Sequence, residues 1–473
     1  MTKLARLDNM PGVDYNDIWG YTDSQGNEIA IVGSSDAINL VDVTDCMNPV
    51  LDTSFIDGSS VIWRDFKTYD HYAYAVCDGS ACQNEGLQVI DMDTKTMTQS
   101  NAHFNKAHNI YIDVSKGRLY AVGVDGSKDL VIFDLIPDPA NPTHLSTINF
   151  GAGVPNYIHD IYVKDHIGYA SHGYEGFVIY DFTDPVNPVE LGSYTSPGYN
   201  HSSWNDSLSG VSYVAFEVPT GVPINILEVG NNYSIIKKGE FSDPILNAPT
   251  LNRPHNPFIK GDSLYISYYH DGTQVWNIED ELNPFLASSY ETDISNSNYN
   301  GFIGCWGTYP YFESGCLVSS DINKGLYTFK LLPAKVELGG SYLVFEDENK
   351  GLVLTDENGN KFEITVNSNG DLDINPFVPS GDKVMVKNSD IQFDTQGVGI
   401  VLKDDDNNYH LIKVDTNNDI VTQRVNLPSQ RITVETQIDF STGENGVYVV
   451  SDNNETVRLT IVNGQIVPVS WPY

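Results

Sequence analysis

Four histidines, His108, His159, His201 and His255, stand at one recurring place in the chain, each at or just before the start of a short apolar run. Neutral imidazoles with a carboxylate such as Glu217 are the ligand set of zinc and its transition-metal neighbours, so these residues are a candidate divalent-metal site. The competing reading is a polar, water-filled channel whose imidazoles bond neighbouring strands and buried waters. Arg64, followed by Asp65, could grip a ligand carboxylate or sugar oxygen, or serve only as an ion pair between repeats. Trp19 and Trp306, with Trp63 and Trp204, could stack on carbohydrate or fill space between sheets. His172 and Glu217 fall at the second recurring place considered below. No Gly-x-Ser-x-Gly elbow, phosphate-binding loop, His-Glu-x-x-His or Cys-x-x-Cys is present, so no catalytic nucleophile can be named. The acid- and amide-rich turns Asp404–Asn408 and Asp356–Asn360 are candidate Ca²⁺ loops, but lack EF-hand spacing.

What must position these residues is a repeat. Leu40-Val41-Asp42, Val89-Ile90-Asp91, Ile132-Phe133-Asp134, Ile179-Tyr180-Asp181, Ile226-Leu227-Glu228 and Val275-Trp276-Asn277 are short strands closing on an acid or amide, spaced 49, 43, 47, 47 and 49 residues apart, and Leu326–Phe329 completes the series. A period near 45 is that of one four-stranded propeller blade, and seven copies predict seven blades. Each repeat reads as four strands, with the innermost beginning at Asn16, Arg64, His108, His159, His201, His255 and about Gly304. In an antiparallel blade the second strand ends beside the start of the first. Asp36, Asp78, Asp125, His172, Glu217, His270 and Asp321 are therefore expected at the same mouth. The seventh repeat lacks a clear fourth strand, and Lys3-Leu-Ala-Arg-Leu7, resembling the fourth-strand text Val189–Tyr194, is expected to supply it and close the ring.

Composition agrees with this and excludes other classes. Lys+Arg 26 against Asp+Glu 63 gives −37, a field that repels nucleic acid and anionic lipid. An aromatic share of 11% with only 19% charged residues argues against disorder. Met1–Met10 has no apolar core of a signal peptide, and no run of about 18 apolar residues suggests a membrane helix. Five cysteines cannot all pair internally. Cys77–Cys82 and Cys305–Cys316 are candidate disulfides, and Cys46 reads as a free core residue.

Asn16-Asp-Ile-Trp-Gly-Tyr, Val41-Asp-Val-Thr-Asp, Trp63-Arg-Asp, Ala107-His-Asn-Ile, Ile158-His-Asp, Asn200-His-Ser-Ser-Trp and Tyr309-Pro-Tyr-Phe-Glu-Ser-Gly resemble the bacterial surface proteins of the choice-of-anchor B family, built of LVIVD repeats. The resemblance covers residues 1–332 and implies a seven-bladed β-propeller displayed outside the cell. Residues 333–473 carry a different repeat, in which Gly351–Val366, Gly399–Val414 and Gly446–Ile461 are each strand, Asx/Gly turn, strand. This text resembles hairpin units of bacteriophage tail-fibre and other virion proteins.

The expectation is thus an all-β chain: a seven-bladed propeller followed by a smaller all-β hairpin-repeat domain. Its expected role is an extracellular or virion-associated structural or binding protein. Its expected partners are other virion or surface proteins through residues 333–473 and a host-surface glycan or protein, with homo-oligomers allowed and neither nucleic acid nor membrane insertion. The alternative is an exported metal-dependent hydrolase using Zn, or less naturally Ca, at the histidine mouth.

Overall fold

The structure, a computed structural model, describes residues 1–331 except 59, 83–84, 126–128, 151–156, 196–197, 245–248 and 294–300, and beyond 331 the strands with a few of their turn residues. The chain divides into two compact units, Met1–Leu331 and Leu332–Tyr473. Both are all-β, and among the described residues no helix is long and apolar enough to cross a membrane.

The first unit contains seven four-stranded antiparallel sheets. Six are meanders of four consecutive strands. Their first strands are Tyr15–Thr22, Trp63–Tyr69, Asn109–Asp113, Asp160–Lys164, Tyr199–Asp206 and Pro257–Lys260. The seventh runs Cys305–Tyr309, Cys316–Asp321, Gly325–Lys330 and then Thr2–Leu7, so the N-terminal segment supplies its fourth strand. A glycine explains why that strand fits. Gly86, Gly176 and Gly272 precede the third strands of sheets 2, 4 and 6 with positive φ, and a Cβ on any of them would strike the fourth-strand carbonyl of Ser100, Tyr194 or Tyr290 at 2.0–2.2 Å. Gly325 holds the same place in sheet 7, and there the obstructing carbonyl belongs to Leu7.

Every pair of neighbouring sheets shares one apolar cluster. Ile38 and Leu40 meet Phe66 and Ile90; Val76 meets Ile110 and Leu119; Ile132 meets Ile161; Ile179 meets Val214; Ile226 meets Ile266; Phe258 meets Phe329; and Val318 meets Val32 and Val41. Full burial of such side chains is worth about 1.5–3 kcal/mol each, which ties each sheet to two neighbours and the seventh back to the first. The Cys46–Cys316 disulfide crosses that last junction over a separation of 270 residues, and Cys77–Cys82 staples a turn in sheet 2. This corrects the reading of Cys46 as free and the pairing of Cys305 with Cys316. Cys305 is the free thiol, buried, with its pKa pushed up to about 12 by desolvation.

The second unit is built from three five-stranded sheets. Each expected hairpin is present and gains a third antiparallel strand, as in Leu352–Thr355, Lys361–Val366 and Leu372–Pro376. Each sheet is completed by two short parallel strands taken from elsewhere in the unit: Gln437–Phe440 and Lys383–Val386, Tyr342–Phe345 and Arg431–Val434, or Ser389–Gln392 and Ala334–Glu337. The exchange follows one cyclic rule, giving a threefold pseudo-symmetric weave within one chain. Its core draws four residues from each hairpin, including Leu352 and Ile364, Ile400 and Ile412, Val447 and Leu459.

Candidate functional site

The inner strands obey the strand period of two, and this sorts their side chains into layers. One face of each carries a small or polar residue and, two positions on, a long one: Asp17 then Trp19, Asp65 then Lys67, Asn109 then Tyr111, Asp160 then Tyr162, Ser202 then Trp204, Asn256 then Phe258, Gly307 then Tyr309. The histidines sit one residue ahead of the polar layer. All seven sheets contribute to the cavity they line, through Asp17, Arg64, Asp65, His108, His159, Asp160, His201, His255 and Trp306 among others.

The four imidazoles form a continuous row. Ring centroids are 4.2 Å apart from His108 to His159, 4.1 Å from His159 to His201 and 4.1 Å from His201 to His255. Three of them are oriented by the next sheet. His159 Nδ1 lies 2.9 Å from the His201 carbonyl, His201 Nδ1 3.2 Å from the His255 carbonyl, and His255 Nδ1 2.6 Å from the Trp306 carbonyl. A carbonyl can only accept, so Nδ1 must carry the proton in all three rings, and Nε2 is left with its lone pair. His108 instead sets Nδ1 3.0 Å from Asp78 Oδ2. Burial and the neighbouring imidazoles hold His159 and His255 well below the ordinary imidazole pKa. Burial also lowers His201, against the opposing pull of Glu217 and Asp160. His159, His201 and His255 are therefore neutral at physiological pH.

His201 Nε2 is 3.9 Å from Glu217 Oε1, and His201, Glu217 and His255 each present a ligand atom within 4.8 Å of the other two. The Tyr269 hydroxyl donates to Glu217 Oε1 at 2.6 Å and fixes the carboxylate. Two imidazoles and a carboxylate in this arrangement can hold a divalent transition metal while leaving coordination positions open. Nδ1–H bonds to carbonyls are the outer contacts that orient metal-binding imidazoles. The cavity beside them measures about 30 Å³, room for an ion or a water rather than an organic molecule.

Arg64 is spent internally: Nη1 is 2.7 Å and Nη2 2.8 Å from the Asp57 carboxylate, and Nε donates to the Ser34 carbonyl at 2.9 Å. Asp65 pairs with Lys67 at 2.5 Å. His172 is buried against Phe150 and Tyr180, away from the four-histidine row, and desolvation lowers its pKa to about 4. Trp306 lines the histidine cavity, whereas Trp19 lies at the other end of the inner strands. Asp356–Asn360 lies outside the described residues, as does part of Asp404–Asn408. Asp404 itself accepts from the Asn408 amide and lies 2.9 Å from His410 Nε2.

Sequence reasoning named Asp65 but missed the rest of the layer beneath the histidines. Asp17, Asp65 and Asp160 share this interior with the single ammonium of Lys67, and the Ser202 hydroxyl donates to Asp160. Desolvation, partly offset by Lys67, raises Asp17 to about 6 and Asp65 well above the usual carboxylate range. The signal was the acid, amide or hydroxyl following each residue of the mouth. Tyr269, which holds Glu217, had no such signal.

No model of a known protein family matches the chain, and no curated protein does. Among solved structures, a computationally designed protein, Ika8, aligns with 9% identity over 70% of this chain and 99% of its own, with a TM-score of 0.43, too low to carry an argument.

Proposed function

We propose that residues 1–331 form a seven-bladed propeller of the LVIVD kind, displayed outside the cell or on a virion, and that its histidine mouth is a transition-metal centre held by His201, His255 and Glu217. The observation that carries this is the tautomer. Three successive imidazoles give Nδ1–H to backbone carbonyls of the next sheet, leaving ligand nitrogens beside a fixed carboxylate. A water-filled channel would need no such uniform orientation. Imidazole donors favour Zn, Cu or Fe over Ca²⁺, which takes oxygen ligands. His108 and His159 extend the row.

With only three protein ligands the centre is of the open, catalytic kind, and a bound metal supplies Lewis acidity that lowers the pKa of water. This makes a hydrolase the best-supported class of activity. The seven apolar clusters joining each sheet to the next support the ring, and two disulfides support an oxidising, extracellular setting. The threefold weave of the second unit suits attachment to other virion or surface proteins. Elemental analysis of protein purified without chelator tests the centre: about one metal per chain is expected, falling to trace in Glu217→Ala and in the His201→Ala/His255→Ala double variant. Metal-free wild type, even after incubation with Zn²⁺, would overturn it.

A further inference from the structure

The opposite end of the inner strands holds a second, larger cavity of about 170 Å³, lined by Trp19, Tyr111, Trp204, Tyr311, Lys67 and Thr68 among others. Its walls are aromatic. Trp204 lies 6.0 Å from Tyr111 and 6.2 Å from Tyr311, and Trp19 lies 6.3 Å from Tyr311, centroid to centroid. These four rings are only half-buried, whereas Phe258 and Tyr162, packed against Trp204, are buried. Rings whose only task was to plug the interior would have closed over this space.

The polar atoms are equally informative. Tyr311 donates to the Ile259 carbonyl at 3.1 Å and Thr68 to the Gly20 carbonyl at 3.3 Å. Among the described residues, however, none hydrogen-bonds the Tyr111 hydroxyl or the indole N–H of Trp19 or Trp204, and none of these three donors is sealed from solvent. Buried indole and phenol groups normally find a protein partner, as Trp276 does on Gln274, whereas these three donors stay open to solvent and so available to a ligand. Lys67 stands 4.4 Å over the Trp19 ring, but its charge is matched by Asp65.

We infer that this aromatic cup binds one pyranose ring of a neutral glycan, through the four-ring wall of Trp19, Tyr111, Trp204 and Tyr311 and the three unpaired donors. A pyranose has an apolar C–H face that packs on aromatic rings and a rim of hydroxyls that takes donors, the combination this cavity offers. The volume matches: about six waters' worth of space accommodates one sugar ring and not two. Charge disfavours acidic sugars, since the chain carries −37 and the cation lining the cup, Lys67, is paired with Asp65. The assignment is independent of the metal centre, which lies at the histidine end of the same strands.

The test is saturation-transfer NMR with indole fluorescence, titrating the full chain with the methyl glycosides of glucose, galactose and N-acetylglucosamine at millimolar concentration. At least one is expected to receive saturation and to perturb indole emission. Trp204→Ala is expected to weaken that binding at least about tenfold, and Tyr111→Phe, which keeps the ring and its packing, by about threefold. Should Trp204→Ala fail to fold, Tyr111→Phe and Trp19→Phe carry the test alone. Glu217→Ala, which breaks the metal reading, is expected to leave sugar binding intact. No transfer to any of the three glycosides, or binding indifferent to the folded cup variants, would overturn the inference.

Discussion

The two ends of the inner strands are made from the same segments and do opposite things. At one end imidazoles and a carboxylate surround about 30 Å³; at the other, indoles and phenols surround about 170 Å³. In the strand Tyr199–Asp206 only Ser202 and Ser203 separate His201 from Trp204, about 10 Å at strand rise. The difference teaches how much a set of equivalent short strands can separate by register alone. Taken together, the strands pass from a level holding four imidazoles, through a small polar level that includes three carboxylates, to a level of long and mostly aromatic side chains. The small polar end suits an ion, and the larger aromatic end suits a ring-shaped organic group.

The comparison breaks most severely if the junction between the seventh sheet and the first is lost. Cys46→Ser removes a cross-link closing 270 residues, which the chain-entropy relation values at about 5.6 kcal/mol, and both ends should weaken together because both depend on sheet 7 meeting sheet 1. A denaturant titration of the variant against the wild type, both under oxidising conditions, checks this; a change below about 1 kcal/mol would mean that the apolar cluster and the N-terminal strand suffice. Next in size, His255→Ala is expected to lower metal affinity at least about a hundredfold by calorimetry, with no change in indole fluorescence from the other end.

A smaller effect concerns Asp78. Burial alone would raise its pKa, but hydrogen bonds from His108 and Lys106 bring it down to about 2 from 3.8. A carboxylate depressed on folding adds stability above its unfolded pKa and loses it as pH falls through the folded one. Asp78→Asn should therefore cost about 1–2 kcal/mol at neutral pH, with the gap to wild type closing between pH 3.8 and about 2 in urea melts. Smallest of all, Trp19→Phe should leave metal content unchanged and soften sugar binding by a few-fold.

Much of this was legible in the residues. The acid-terminated strands at intervals near 47 located the sheets, and the likeness of Lys3–Leu7 to Val189–Tyr194 found the fourth strand of sheet 7, because strand text and turn prolines are local signals. The histidine row was legible because a repeat places equivalent residues at equivalent heights. What failed was pairing information. Nothing local to Cys46 announces Cys316, and nothing in Arg64 reveals that Asp57 has already claimed it. Trp19 and Trp204 share the far end of their strands, a height that follows once each is counted from the start of its strand. In the second unit the hairpins were readable, but the short strands exchanged between sheets were not, since parallel partners lie dozens of residues away and leave no turn motif.

X-ray absorption at the metal edge of the intact protein, purified without chelator, examines the histidine end most directly. The account predicts one first-row transition metal per chain with scattering from two imidazoles and a carboxylate oxygen, and loss of the imidazole signal in the His201→Ala/His255→Ala variant. A spectrum of oxygen ligands only, or one that the double substitution leaves unchanged, would contradict it.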